Sequence, residues 1–311
     1  MKKLSKKPFL LLSCGAVTVL LIASIFAFRK GETGESSVDV KQDGRLQYKW
    51  SIPPSPTSMS FAGEKVPLDR QDVREQLDRE ILNNYYSIIS TLSDIRLSTR
   101  YFPEIEDRLK ANGIPDDFKY LCVAESALIN QTSRVGAVGF WQFMKDTAPR
   151  YGLEVNDEVD ERYNVIKSTD AACMYFKEAY AKFGSWTAAA ASYNCGMAGY
   201  NTQATYQRSN DYYKLLLAEE TMRYVFRILA LKYYITQAAS VGFVVMPPDA
   251  YKPYRVHQLQ VTETIPDLEQ FCIDHNITYR TLKWFNPWMR GHSLTIKNGK
   301  GYTIDLPTGN W

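Results

Sequence analysis

This sequence of 311 residues contains few histidines, no regular spacing of cysteines and little net charge. The three histidines, His257, His275 and His292, have no cysteine at zinc-ligand spacing, so no metal site is expected. The formal net charge is only +3, and no basic run interleaved with aromatic residues occurs beyond the N-terminus. Nucleic acid is therefore not expected as a partner.

The five cysteines form no disulfide framework that the spacing could define. Cys14 stands in an N-terminal apolar segment, apart from Cys122, Cys173, Cys195 and Cys272. A bridge between Cys122 and Cys195 is one possibility. Buried thiols are the favoured alternative, because free cysteine packs as a small hydrophobic residue.

The N-terminus has the pattern of a membrane anchor. Four lysines within residues 1–7 precede residues 8–28, which contain no charged residue and would form a helix of roughly 30 Å. Lysines before the span place the N-terminus in the cytoplasm and the rest of the chain outside it. We predict an uncleaved signal anchor over residues 1–28, with cleavage or lipidation at Cys14 as alternatives. The rest of the chain is then expected in the cell envelope, outside the cytoplasm and anchored to the membrane.

Residues 29–67 are rich in glycine and proline and are predicted to be a flexible linker. Residues 68–246 then show helical periodicity without a convincing alternating strand. One apolar stripe runs from Val73 to Leu92, a second helix is expected over residues 102–111, and Ser168 is the expected N-cap of a helix that ends at Gly184. This region is predicted to be all-helical.

Glu125 is a lone carboxylate inside an apolar run that should form a helix opened by Pro115. Cys122, Glu125 and Leu128 follow at intervals of three and are expected on one face. Burial there would raise the pKa of Glu125, as a general acid working near neutral pH requires. Taken alone, such a glutamate is more often a solvated surface residue.

A glycine turn follows in residues 136–144, where glycine permits close approach of the backbone. The side chains of Trp141 and Gln142 are expected to line a groove opposite the carboxylate.

Four segments together resemble a known family. In order and spacing, residues 124–128, residues 133–144, Ala189–Gly196 and Glu220–Val225 resemble the lytic transglycosylases of glycoside hydrolase family 23. The Gly-Phe-Trp-Gln-Phe-Met form is similar to the membrane-bound D-type branch. The resemblance covers about residues 97–241 and implies the goose-type lysozyme fold, so the fold class expected here is a mainly α, lysozyme-like catalytic domain.

The resemblance also implies roles for single residues. Glu125 would act as the only general acid and base on peptidoglycan glycan strands, with help from the acetamido group of the substrate and without a cofactor. Substrate contacts are implied for Ser133, Gln142, Met144, Tyr193, Asn194 and Glu220. Alternatively, Tyr193 is a core aromatic residue and Glu220 pairs with Arg223 or Arg227 on its own helix.

Two other functions remain open at this point. A muramidase-type hydrolase on the same fold would need the same acid but would produce reducing ends. A non-catalytic peptidoglycan-binding scaffold would keep the groove and lose the chemistry.

Residues 247–311 differ from the helical region in their predicted elements, which follow a β-α-α-β order with Asn286-Pro287 after the second helix. This order resembles a LysM module, although Thr262-Glu263 stands where Gly-Asp is usual. A small subdomain that only packs on the catalytic domain is the alternative.

Overall fold

A computed structural model describes residues 52–297 and 299–309, and the chain from Ile52 onward forms one compact unit. The predicted signal anchor and the linker before residue 52 lie outside the described residues. Within the described ranges, no helix is both long enough and apolar enough to cross a bilayer.

Helices account for most of the region between residues 71 and 241. The longer ones are α1 (Gln71–Tyr86), α2 (Ile88–Ala111), α3 (Phe118–Ser126), α4 (Val165–Phe183), α5 (Trp186–Tyr206) and α6 (Glu219–Thr236). Short 3-10 turns cover Ala148–Tyr151, Glu161–Tyr163, Tyr212–Lys214 and Ala238–Val241. A two-residue hairpin, β1 (Ser60–Phe61) paired with β2 (Glu64–Lys65), precedes them. The mainly helical prediction is confirmed.

Helix α6 lies at the centre of the main core and packs against α1, α3 and α5. Apolar and aromatic side chains cover most of its circumference, and Tyr224, Ile228 and Tyr234 are almost fully buried. A helix that is apolar nearly all round belongs inside a bundle. This position brings the first turns of α6 close to the end of α3.

The C-terminal region has the predicted β-α-α-β order. It consists of β3 (Val256–Val261), α7 (Leu268–Asp274), α8 (Tyr279–Phe285) and β4 (Tyr302–Pro307), with β3 and β4 antiparallel from Val256 opposite Pro307 to Val261 opposite Tyr302. Its own core includes Leu268, Leu282 and Ile304. The module also packs on the helical domain, because Val159 joins this core and the Asp160 amide donates to the Trp288 carbonyl at 2.8 Å.

Several helix boundaries differ from the sequence expectation. The stripe from Val73 to Leu92 is divided at Ser87, so that α1 and α2 are separate helices. Helix α2 continues through Pro103 to Ala111, and no new helix starts at residue 102. The N-cap of α4 is Asn164, whose side-chain oxygen accepts from the Lys167 amide at 3.0 Å, and Ser168 lies inside the helix. Gly184 ends α4 as expected, with φ of 71°.

The linker prediction is wrong for its last part, because residues near the hairpin belong to the folded body. Phe61 and Val66 are buried in the main core. The Glu64 carboxylate accepts from the backbone amides of Trp186 at 2.6 Å and Thr187 at 2.9 Å, and from the Ser185 hydroxyl at 2.8 Å. A carboxylate at a helix N-terminus is stabilised by the helix dipole, so Glu64 fixes the start of α5.

Asp94 in α2 is a buried carboxylic acid whose Oδ1 has no hydrogen-bond partner among the described residues. Burial raises its pKa to about 7 from an ordinary value of 3.8, which corresponds to roughly 4 kcal/mol. Because the unfolded chain ionises at the lower pH, this penalty grows between about pH 4 and 7 and is complete above that range. We expect Asp94→Asn to raise the free energy of unfolding at pH 8, by somewhat less than 4 kcal/mol because a buried amide remains.

Urea unfolding at pH 4 and pH 8 checks this expectation. The gain should be much smaller at pH 4, where the carboxyl group is neutral in both states. Asp146→Asn, at an exposed position, is the matched control and should change little at either pH. An equal effect of Asp94→Asn at both pH values would contradict the assignment of the penalty to ionisation.

Candidate active site

Glu125 lies in the last turn of α3, next to the N-terminal part of α6. Its pKa is raised to about 7, mainly because burial disfavours the charged form. The Tyr224 hydroxyl donates a hydrogen bond to Glu125 Oε1, which lowers the pKa, as does the positive charge of Arg227. The negative charge of Glu220 raises it. The predicted direction of the pKa shift is confirmed.

The backbone after Glu125 explains why the predicted helix face is wrong. Ala127 and Leu128 adopt left-handed conformations, with φ of 53° and 57°, and the helix ends at Ser126. Leu128 is buried, but it does not continue the face that carries Cys122 and Glu125. Left-handed backbone is uncommon for residues with a side chain, and it lets the chain turn sharply beside the carboxylate.

Tyr224 is not among the site residues predicted from the sequence, and its contact with Glu125 was missed. Glu220, Tyr224 and Arg227 follow at intervals of four and three on α6, so one face of this helix presents all three toward the carboxylate. Tyr224 is also almost fully buried, like an ordinary core aromatic residue. The spacing was visible in the sequence, but the pairing of α6 with α3 was not.

Tyr193 and Asn194 approach the site from α5. The Tyr193 hydroxyl donates to the Trp141 carbonyl at 2.7 Å, and its ring packs on Phe143 and Phe176. Burial raises the pKa of Tyr193 well above its usual value, and the negative charge of Glu125 raises it further. Tyr193 is therefore both a packed aromatic residue and a neighbour of the carboxylate.

Asn194 links α5 to the beginning of α6. Its Oδ1 accepts from the Thr221 hydroxyl at 2.8 Å, and its Nδ2 donates to Glu220 Oε1 at 3.4 Å. Arg223, one alternative partner of Glu220, instead binds the buried Glu80 at 2.7 Å. Two residues after Asn194, Gly196 leaves helical geometry with φ of 75° and ψ of 146°, which ends the first part of α5.

The loop from Gln131 to Met144 carries the other predicted residues. Ser133 Oγ accepts from the Ala137 amide at 2.9 Å, and Gln142 Nε2 donates to the Gly139 carbonyl at 2.7 Å. Gln142 adopts φ of 51°, and the side chain of Met144 is 43% exposed. The hydrogen bonds of Ser133 and Gln142 thus stabilise the conformation of the loop. The side chain of Met144 faces solvent.

The expectation that Trp141 lines a groove is wrong. Its side chain is fully buried, and Nε1 donates to the Thr169 hydroxyl at 2.8 Å. Only the Trp141 carbonyl reaches the site, through Tyr193. The proposed bridge between Cys122 and Cys195 does not form, since all four described cysteines are free, and Cys122 is a buried thiol.

Comparison with known proteins agrees with this geometry. Residues 103–216 match the family model described as the transglycosylase SLT domain. The chain carries an SLT domain. Residues 257–310 match a second model, the soluble lytic transglycosylase C-terminal LysM-like domain. The predicted combination of a lytic transglycosylase domain with a LysM-like module is therefore confirmed.

Similar proteins extend the likeness beyond the SLT domain. The chain is 27% identical over 272 residues to membrane-bound lytic murein transglycosylase D of Escherichia coli K12, and likewise to the protein of that name in strain O6:H1. These alignments cover 84% of this chain but 58% of each relative. Glu125, Tyr193 and Asn194 lie within the matched SLT residues, whereas Glu220 and Tyr224 follow them.

Proposed function

We propose that this chain is a peptidoglycan lytic transglycosylase that cleaves the β-1,4 bond between N-acetylmuramic acid and N-acetylglucosamine. The observation that carries the proposal is a single carboxyl group, Glu125, with a pKa of about 7 within the residues that match the SLT domain. A carboxyl group with this pKa can donate a proton and take one back near neutral pH.

In the proposed reaction, Glu125 first protonates the glycosidic oxygen, and the bond from that oxygen to the anomeric carbon breaks. The acetamido group of the substrate stabilises the positive charge that develops there. Glu125, now ionised, removes the proton from the 6-hydroxyl of the muramic acid, and that oxygen bonds to the anomeric carbon. The product is a 1,6-anhydro end, and no water or cofactor is consumed.

A single acid is favoured because several other candidate carboxylates are paired with basic side chains. Asp117 pairs with Lys232 at 2.7 Å, Asp116 with Lys119, and Asp160 with Arg162 at 2.7 Å. Glu220 is the carboxylate whose charge acts on Glu125, and it is the candidate that a hydrolase would use. Retaining and inverting hydrolases commonly need a second carboxylate at the bond.

The remaining site residues are proposed as substrate contacts. Tyr193 and Asn194 would meet the acetamido side of the sugar, and Ser133 and Gln142 would hydrogen-bond the ring near Glu125. The exposed Met144 would contribute an apolar surface for the sugar, and Glu220 would reach the groove from α6. The LysM-like module would bind glycan strands, and the N-terminal segment would anchor the enzyme with its catalytic domain in the periplasm.

Product analysis tests the proposal. The full chain should release fragments from purified peptidoglycan whose muramic acid ends are lighter by one water molecule than hydrolysed ends. Mass spectrometry distinguishes the two products. Reducing ends would instead favour the hydrolase and direct attention to Glu220, and binding without cleavage would favour a scaffold.

The pH dependence should follow the charges around Glu125. Because the acid must be protonated at the start, the rate should fall as the pH rises through about 7. Glu220→Gln removes a charge that raises the pKa of Glu125, so this fall should move to lower pH. Arg227→Gln removes a charge that lowers the pKa, so the fall should move to higher pH, each by up to about one pH unit.

Rates of peptidoglycan solubilisation measured from pH 4 to pH 9 check both variants together. Opposite displacements are the expected result, and each variant serves as the control for the other. If the pH at which the rate falls moved in the same direction in both variants, or did not move, the assignment of this pH dependence to Glu125 would be contradicted.

A further inference from the structure

An exposed apolar face lies where α1 ends and α2 begins, beside the segment that follows α6. The side chains that define it are Leu82, Tyr86, Ile88, Ile89, Val244 and Met246. Ile89 is 87% exposed and Val244 is 64% exposed. A cluster of large apolar side chains on a surface usually marks an interaction site.

Long-range contacts place the segment that follows α6 next to the end of α1 and the start of α2. The ring of Tyr85 lies 6.0 Å from that of Phe243, and Arg96 Nε donates to the Asp249 carbonyl at 2.7 Å. The segment from residue 243 to 249 therefore runs alongside residues 85–96. This arrangement brings Val244 and Met246 beside the first turn of α2.

The three chain segments that form and adjoin the apolar face contain no charged residue, and the nearest charges, such as Asp78 and Arg96, stand at its margins. Residues 81–93, 233–248 and 52–63 contain no lysine, arginine, aspartate or glutamate. Charged side chains would have to be desolvated when such a face approaches hydrocarbon, and none stands in these three segments. An uncharged apolar surface with tyrosines at its edge is suited to the headgroup boundary of a bilayer.

The chain enters the described body beside the same face. The Pro54 carbonyl accepts from the Tyr233 hydroxyl at 2.8 Å, and the Ser55 hydroxyl donates to Asp78 Oδ1 at 2.6 Å. Asp78 precedes Leu82 by one turn on α1, so both lie on one side of that helix. The residues nearest the N-terminal segment are thus neighbours of the apolar face.

We propose that the apolar face docks on the lipid bilayer that residues 8–28 are predicted to cross. The proposal rests on the membrane anchoring in the proposed function, and it adds a second, peripheral contact made by the folded body. Insertion of such side chains typically reaches about 5–10 Å into the boundary between headgroups and acyl chains. Two attachment points would fix the orientation of the catalytic domain on the membrane.

Site-specific fluorescence in the full chain tests the docking. An environment-sensitive fluorescent amino acid replaces Ile89, and the protein is reconstituted in vesicles of phosphatidylcholine and phosphatidylglycerol that contain nitroxide-labelled lipid. Leu216 is the control position, because it is 70% exposed but lies beside the first turn of α1, roughly 20 Å along that helix from Tyr86.

The expected result is emission at shorter wavelength and strong quenching by the labelled lipid at position 89, with neither change at position 216. Reconstitution at a higher ratio of lipid to protein lowers the number of chains per vesicle. The wavelength shift should then stay unchanged. Loss of the shift at the higher ratio would assign the face to a second copy of the chain. An unshifted, unquenched probe, or a chain that does not float with the vesicles, would also overturn the proposal. None of these readouts depends on peptidoglycan cleavage.

Discussion

Replacing Glu125 with glutamine should lower the rate of peptidoglycan cleavage by about 10²- to 10⁴-fold, the usual contribution of a general acid and base. Glutamine has nearly the same shape and keeps an oxygen that can accept from the Tyr224 hydroxyl. The fold should therefore survive, and glycan binding should be retained. Turbidity loss of purified cell walls measures the rate, and thermal unfolding measures the stability.

Glu219→Gln is the matched control for this substitution, because Glu219 is an exposed glutamate next to Glu220 on α6. It should leave the rate nearly unchanged. Full activity of Glu125→Gln would remove Glu125 from the proposed reaction. A lower melting temperature that accompanied the loss of activity would indicate a structural role instead.

Gly139→Ala should destabilise the protein by about 4 kcal/mol or more, which is exceptional for a single methyl group. Gly139 has φ of 82°, and a Cβ atom there would lie 1.9 Å from the Arg162 carbonyl oxygen. Arg162 cannot easily move, because its guanidinium is paired with Asp160 at 2.7 Å and donates to the Phe143 carbonyl at 3.2 Å. Urea unfolding should show a lower midpoint.

Gly136→Ala separates the contribution of backbone strain at positive φ from the contribution of the clash with Arg162. Gly136 has a similar φ of 89°, but a Cβ atom there would meet no other atom within 4 Å. Only the backbone strain remains, at roughly 1–2 kcal/mol. Equal destabilisation by the two variants would show that contact with Arg162 is not the cause.

The sequence was most informative where function requires several residue types at fixed spacing. The segments around Glu125, Gly139, Asn194 and Glu220 predicted a matched SLT domain, and the structure brings α3, α5 and α6 together there. Tyr224 was missed because a tyrosine four residues after Glu220 on a largely buried helix is equally compatible with a core position. Its hydrogen bond spans 99 residues of sequence, and periodicity within one helix carries no information about such a partner.

Local patterns also failed where a single residue decides the backbone path. The left-handed conformation of Ala127 redirects the chain away from the predicted face, although alanine favours helix. Pro103 lies inside α2, where local rules would end a helix. Phe61 lies in a short segment between Pro56 and Gly63 that has no helical or alternating pattern, and only its long-range packing shows that it belongs to the core.

The bonds from Glu64 to the start of α5 limit where proteolysis could separate the folded body from the proposed membrane anchor without disturbing α5. A cut between the hairpin and α1 would detach the carboxylate that holds Trp186 and Thr187, and α5 is the helix that carries Tyr193 and Asn194. A cut before residue 52 would keep every one of these contacts. A released fragment that keeps Tyr193 and Asn194 in place must therefore retain the hairpin.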